Sequence, residues 1–264
     1  MQKLNEIKSE KIWGYELWIA STHPNGMQKE FYDNCVGDYP LLVKVIQADD
    51  TLSIQVHPDD KYALELEGEG NRGKTECWYV LDAAPDAKLV YGLKKNYPCD
   101  ELAAAITENK LEDYLEFFNV KKGDFIFIPA GTVHAIGAGL RLMEVQQSCD
   151  LTYRLYDWGR GREVHIEKGL KVIKSEEMIP VAPFGKEFEC EYFRLEKITV
   201  DNEWSYTVPL RNKPEGVELL YVIDSTNAVI NNCEKLSSEE IYAVNPGESI
   251  SINGKCELMR IIAK

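Results

Sequence analysis

The sequence predicts a mainly β chain: an antiparallel β-barrel with a short helical insertion, followed by a second, smaller β-rich domain of degenerate barrel type. Three observations predict it. Short apolar or alternating runs recur along most of the 264 residues, broken by Gly, Pro, Asn and Asp, which is how strands separated by turns read. Helical periodicity is confined to one clear stretch, 100–118. An interval with two prolines, Met178-Ile-Pro-Val-Ala-Pro-Phe-Gly185, parts two β-rich blocks.

In the first block, expected as a domain over 1–178, the runs at 41–46, 53–56, 76–81, 88–92, 124–128 and 141–146 read as strands. Between them, Asp100 is placed to cap a helix whose apolar residues Leu102, Ile106, Leu111, Tyr114, Leu115 and Phe118 fall at helical spacing. Asn109 interrupts this pattern, giving two short helices. The second block, expected over 186–264, alternates again in Tyr192-Phe-Arg-Leu-Glu-Lys-Ile-Thr-Val, Glu218-Leu-Leu-Tyr-Val-Ile and Glu257-Leu-Met-Arg-Ile-Ile, with Asn245-Pro-Gly-Glu as a turn. It holds no histidine. All four histidines (23, 57, 134, 165) precede it, so an imidazole metal site belongs to the first block.

With 44% hydrophobic residues the chain can bury a proper core. A formal charge of −14 argues against nucleic acid as a partner, because a binding face must neutralise phosphates. A small anionic substrate is compatible with it, since one or two cations in a cleft dominate locally. The opening ten residues are charged and no run reaches membrane length, so the expectation is a cytoplasmic location, no membrane partner, and a monomer or homodimer. Seven cysteines, odd in number and without a Cys-x-x-Cys pair, read as reduced packing thiols.

Three segments carry chemistry. In Ser53-Ile-Gln-Val-His57, residues 53, 55 and 57 share one face of an extended chain. Alone, a histidine before Pro58 also fits a strand end at the surface. In Gly73-Lys-Thr-Glu-Cys-Trp-Tyr-Val, Lys74 and Glu76 again share a face, and a carboxylate at the mouth of an apolar strand needs a partner. In Gly123-Asp-Phe-Ile-Phe-Ile-Pro-Ala-Gly-Thr-Val-His134, Gly123 turns into a strand, Pro129 and Gly131 bend its end, and His134 is aimed back inward. Next comes Arg141-Leu-Met-Glu-Val-Gln-Gln-Ser-Cys-Asp-Leu-Thr-Tyr-Arg154, with Glu144 and Gln146 on one strand face and Asp150 and Arg154 expected in a turn.

The pattern G-x5-P-x-G-x2-H ending on His134 resembles the second motif of the cupin superfamily, so the expected barrel is of cupin (jelly-roll) type. That barrel sets His134 opposite the strand bearing Gln55-x-His57. With Glu76, the site offers two nitrogens and two oxygens, a set suited to one Zn²⁺, with Co²⁺, Mn²⁺ or Fe²⁺ fitting the same ligands. A single anionic ligand leaves the ion electrophilic.

Taken together, Ser53-x-Gln55-x-His57-Pro58, Lys74-x-Glu76, Pro129-x-Gly131-x-x-His134 and Met143-Glu-Val-Gln-Gln-Ser-Cys-Asp-Leu-Thr-Tyr-Arg154, with Trp13-Gly14 as a weaker echo, resemble the zinc-dependent type I mannose-6-phosphate isomerases in their short bacterial form. The likeness spans residues 12–160. It implies zinc ligands Gln55, His57, Glu76 and His134, active-site residues Lys74, Glu144, Asp150 and Arg154, and Ser53 near the substrate phosphate. Longer members carry a histidine where this chain has Gly73 and a proline where it has Thr75, so no proton transfer by that histidine can operate here. They also carry an extensive helical insertion, of which 100–118 would be a remnant.

The implied reaction is reversible aldose–ketose exchange between mannose 6-phosphate and fructose 6-phosphate through an enediol. Lys74 and Arg154 would stabilise negative charge, and Glu144, with Asp150 behind it, is the first candidate base. The alternatives are another metal-dependent cupin enzyme, such as a different sugar-phosphate isomerase or an oxygenase, and a non-catalytic sugar-binding cupin.

Overall fold

The computed structural model describes residues 1–174 and 178–264, and the described chain divides into two compact units. The unit of residues 8–16 and 44–183 holds every residue singled out for chemistry. The expected first domain, 1–178, includes residues 175–177, which lie outside the described ones.

Alternation explains how this unit is layered. Its core side chains come from two sheets: Ile46, Trp78, Val80, Ile126, Ile128 and Leu142 from one, Leu89, Tyr91 and Ile136 from the other. The first sheet runs in the order Ala182–Pro183, Asp124–Ile128, Glu76–Ala83, Leu140–Gln147, Leu41–Ala48, Gly14–Ala20, Ile7–Lys11. The second runs Tyr153–Tyr156, Ile54–Val56, His134–Ile136, Lys88–Leu93, Leu115–Asn119, antiparallel throughout. The barrel is therefore two facing antiparallel sheets rather than one sheet closed on itself, as in jelly rolls. The outer face of the second sheet carries Ile54, Val56, Val90, Ala135, Tyr153 and Leu155, packed with Leu102 and Ile106 of the Cys99–Thr107 helix and Val172 of the Ile166–Val172 helix.

The helical stretch differs from expectation in its second half. Cys99–Thr107 is α-helical and Asn109 ends it in the left-handed region at φ 56°. Beyond it a single 3-10 turn, Leu111–Tyr114, gives way to the strand Leu115–Asn119, whose Phe117 and Phe118 pair with Val90 and Leu89. Leu111, Leu115 and Phe118 fit a helical period and a strand equally well, and cross-strand pairing decides between them. Arg154 also departs from expectation. It lies in the strand Tyr153–Tyr156, not in a turn. Helices at Lys29–Cys35, Asp60–Glu67 and Ile166–Val172 add to the one that periodicity revealed.

The other unit gathers residues 1–7, 17–43 and 184–264, so the C-terminal β-rich segment, expected to stand alone over 186–264, clusters with two earlier pieces of chain. Gln2 and Lys3 pair with Ala243 and Tyr242 at the edge of a six-stranded antiparallel sheet, and the buried Tyr39 hydroxyl donates to the Val217 carbonyl at 3.0 Å. A second, four-stranded sheet completes this unit, and Leu220, Val222, Tyr242, Ile250, Ile252 and Leu258 fill its core.

Candidate metal centre

One residue row crosses the five-stranded sheet on its inner face: Arg154 opposite Gln55, Gln55 opposite His134, and His134 opposite Tyr91. Directly opposed residues share a face, so strand pairing delivers Gln55 and His134 to one place although 79 positions separate them. On the facing sheet Glu76 is opposed by Gln146 on one side and Ile128 on the other. His57 follows the end of the Ile54–Val56 strand, and its carbonyl accepts the Gly131 N–H at 2.9 Å. Gly131 sits at φ +97° with the Val172 carbonyl 2.9 Å from where a Cβ would be. Only glycine suits both demands, and so the bend at Pro129–Gly131 ties the two histidine-bearing segments together.

The ligand atoms converge. His57, Glu76 and His134 are buried, with donor atoms all within 4.8 Å of one another. His134 Nε2 lies 3.3 Å from Glu76 Oε1, and His57 Nε2 lies 3.7 Å from Oε2. The tautomers are fixed from behind: Nδ1–H of His57 donates to the Leu151 carbonyl and that of His134 to the Thr132 carbonyl, both at 2.9 Å. Each Nε2 lone pair is left facing the other donors, the arrangement that orients metal-ligating imidazoles. The Gln55 amide donates to His134 Nε2 at 3.3 Å, and turning its terminal torsion brings the oxygen into the same space.

Protonation favours a cation here. Burial, then the Lys74 charge, holds His57 well below the usual histidine value, and burial pushes His134 down to about 4. Both rings are neutral at pH 7. Burial and the nearby Glu144 raise Glu76 to about 7. Glu76 Oε1 is buried without a hydrogen-bond donor, a costly arrangement unless a cation compensates it. The Lys74 ammonium already lies 2.5 Å from Glu76 Oε2 and 3.1 Å from His57 Nε2. Burial opposes its charge, but Glu144 and Glu76 outweigh burial and raise it above the ordinary lysine value. A buried carboxylate with an oxygen lacking a donor and two neutral imidazoles within reach of it fit a divalent metal ion.

Of the other expected residues, Glu144 is buried, accepting the Trp78 indole N–H at 2.9 Å with Lys44 Nζ 3.2 Å from its other oxygen. Burial works against its charge, yet Lys74 and Lys44 pull it down to about 2. Ser53 is buried just before the Gln55 strand. Arg154 is half-buried and donates to the Glu163 carbonyl at 2.8 Å. Asp150 is exposed, one residue before the carbonyl that holds His57. Lys44 escaped the sequence reading. Its signal was a lone lysine inside the apolar run Leu41-Leu-Val-Lys-Val-Ile, which buries the charge.

The sequence model of the type I phosphomannose isomerase catalytic domain matches residues 15–115. The mannose-6-phosphate isomerase of Streptococcus mutans serotype c is 41% identical over 184 residues, covering 60% of this chain and 57% of that protein. The chain thus spans little more than half the length of that relative. Mannose-6-phosphate isomerase ManA of Bacillus subtilis is 34% identical over 269 residues, covering 88% of this chain and 81% of the relative. The crystal structure of the mannose 6-phosphate isomerase from Bacillus subtilis superposes with a TM-score of 0.83 at 26% identity, covering 98% of both chains. Shared sequence over most of a curated relative and a shared cupin-like fold lead to one statement: the chain belongs to the type I mannose-6-phosphate isomerase family.

Proposed function

We propose that this chain interconverts mannose 6-phosphate and fructose 6-phosphate at a zinc ion held by Gln55, His57, Glu76 and His134. The observation that carries the proposal is the convergence of His57, Glu76 and His134 with both Nε2 lone pairs turned inward. Zinc, when bound, would polarise and orient the sugar oxygens between which the carbonyl moves.

The protein supplies the remaining groups. Lys74 is a buried cation beside Glu76, placed to stabilise negative charge developing on the enediol oxygens. Arg154, in the same row as Gln55 and His134, and Ser53, buried just before the Gln55 strand, offer the phosphate a cation and a hydroxyl. Glu144 has both oxygens engaged by Trp78 and Lys44. Such a carboxylate is a weak base at neutral pH. Its surroundings favour a fixed anion that balances Lys44 and Lys74 over a proton shuttle, and Asp150 is then the carboxylate for the proton transfer. The Gly73 position carries no side chain, so it contributes none.

A coupled assay on mannose 6-phosphate, before and after chelation and with zinc restored, tests substrate and metal together. Activity lost on chelation and recovered with zinc is expected. Turnover that survives complete metal removal would overturn the proposal, as would tight sugar-phosphate binding without any isomerisation.

A further inference from the structure

We infer that Asp60 and Gln147 form a clamp that positions Lys74 through its backbone, and that the clamp has a fixed hydrogen-bond polarity. The inference rests on the role proposed above for Lys74. Three consecutive amides around that lysine are each taken up by a specific acceptor. Gly73 N–H donates to Asp60 Oδ1 at 2.8 Å, Lys74 N–H to the Pro58 carbonyl at 3.0 Å, and Thr75 N–H to Gln147 Oε1 at 2.9 Å. Gln147 Nε2 closes the circuit by donating to the Asp60 carboxylate at 3.1 and 3.3 Å. Gln147 also uses its own N–H, which donates to the Thr75 carbonyl at 3.1 Å.

The circuit runs in one direction. Asp60 must accept from two donors, Gly73 N–H and Gln147 Nε2, and an ionised carboxylate does so without loss. Gln147 must accept with its oxygen and donate with its nitrogen at once. An amide at position 60 faces donor with donor, and a carboxylate at position 147 faces acceptor with acceptor. Exchanging both together restores every bond: the position-147 carboxylate accepts from Thr75 N–H and from the amide at position 60, whose oxygen still accepts from Gly73 N–H. Gly73 belongs to the same device. A Cβ there would lie 2.5 Å from the Asp60 nitrogen and 2.6 Å from the Asp59 carbonyl carbon, so the segment leading into the Glu76–Ala83 strand approaches the start of the Asp60–Glu67 helix only because position 73 is bare.

The clamp fixes the main chain on both sides of a long, flexible side chain. Lys74 Nζ reaches both Glu76 and His57 from there, and a displacement of about 1 Å in such a group can lower a rate by about a hundredfold. Neither clamp residue touches the donors of the metal centre. Both are positioning residues.

The test uses the zinc-loaded full chain with Asp60→Asn, Gln147→Glu and the double variant, assayed on mannose 6-phosphate, with zinc content measured throughout. Each single variant is expected to lose about tenfold in kcat, equivalent to about 1.4 kcal/mol in the activation barrier of the reaction, while keeping its zinc. The double variant is expected to regain kcat to within about twofold of the parent. In a Lys74→Met background, Gln147→Glu is expected to cause no further loss. In metal-free protein, amide hydrogen exchange at Thr75 should rise in Gln147→Glu and fall back in the double variant.

Single variants that keep kcat while Lys74→Met loses it would overturn the clamp and leave the Lys74 reading standing. A double variant that regains thermal stability without regaining kcat would also overturn it, reducing the circuit to a structural one. Full activity in Lys74→Met would overturn the reading of Lys74 and the positioning claim with it, whatever Thr75 exchange shows.

Discussion

The Trp78 indole donates Nε1–H to Glu144 Oε2 across 2.9 Å, from directly opposite strands of one sheet. Lys44 lies 3.2 Å from the other oxygen. Glu144 is therefore a held anion, and this separates two roles that its sequence position leaves open.

Glu144→Gln is expected to retain zinc, since the residue is not among the converging donors, and to lower kcat by about tenfold or more by unbalancing Lys44 and Lys74. The acid limb of the pH–rate profile should stay where it is, because a carboxylate held near 2 does not titrate in the working range. An acid limb that vanishes in the variant would assign proton transfer to Glu144.

Loss of a ligand should rank by chemistry. His57→Ala and His134→Ala are each expected to weaken zinc binding by more than the roughly 10–100-fold typical of losing an outer partner, and Gln55→Ala by less, being a neutral amide. Competition with a chromophoric chelator measures all three. Equal affinity across the series would remove the imidazoles from the ligand set.

Proton competition at the metal centre has a definite sign. With His134 down at about 4 and His57 well below its usual value, the imidazoles carry no proton near neutrality, whereas Glu76 is raised to about 7 by burial and Glu144. Below about pH 7 the metal must displace the Glu76 proton, so affinity should fall by about tenfold per pH unit there and level off above. Calorimetry in buffers of different ionisation enthalpy should show about one proton released at pH 6 and few at pH 8. The same raised value means that metal-free protein gains stability from the protonated form at low pH and loses it as pH rises through the Glu76 value. Proton release that does not change between pH 6 and 8 would contradict this assignment.

Asp157 is a buried acid whose pH signature is opposite to that of Glu76. Burial pushes its pKa up, but hydrogen bonds from Arg162 Nε at 2.8 Å and Arg160 at 3.0 Å hold it below the ordinary aspartate value. A depressed carboxylate contributes stability that is present above the unfolded value and lost as pH falls through the folded one. Asp157→Asn is expected to cost about 1–3 kcal/mol at pH 7, because two arginines lose a charged acceptor. The deficit should shrink in thermal unfolding measured toward pH 3. An unchanged melting temperature at pH 7 would show the cluster to be solvated and weak.

Much of the site was legible because its signals are local. Gln55 and His57 share a face by the two-residue period, Lys74 and Glu76 do the same, and Pro129 and Gly131 announce the bend that aims His134. Arg154 was legible as a residue but not as a place: its strand forms by pairing Tyr153 with Val56 and Arg154 with Gln55, partners almost a hundred residues earlier in the chain. Lys44 was overlooked because a lysine in an apolar strand declares that it is buried, not which carboxylate it meets. The half-helix expected up to Phe118 failed for a similar reason, since local spacing could not report that Lys88–Leu93 lay waiting as a strand partner.

The sequence by itself determined the strand-rich architecture, the family likeness and the three side chains that converge, His57, Glu76 and His134, because alternation, turn chemistry and motif spacing act over a few residues and survive in the linear order. Tertiary structure alone decided how charge is shared among Lys44, Lys74, Glu76 and Glu144, and which chain pieces complete the C-terminal sheet. Those outcomes depend on desolvation and on strand register between distant segments, quantities that exist only once the sheets have been brought face to face.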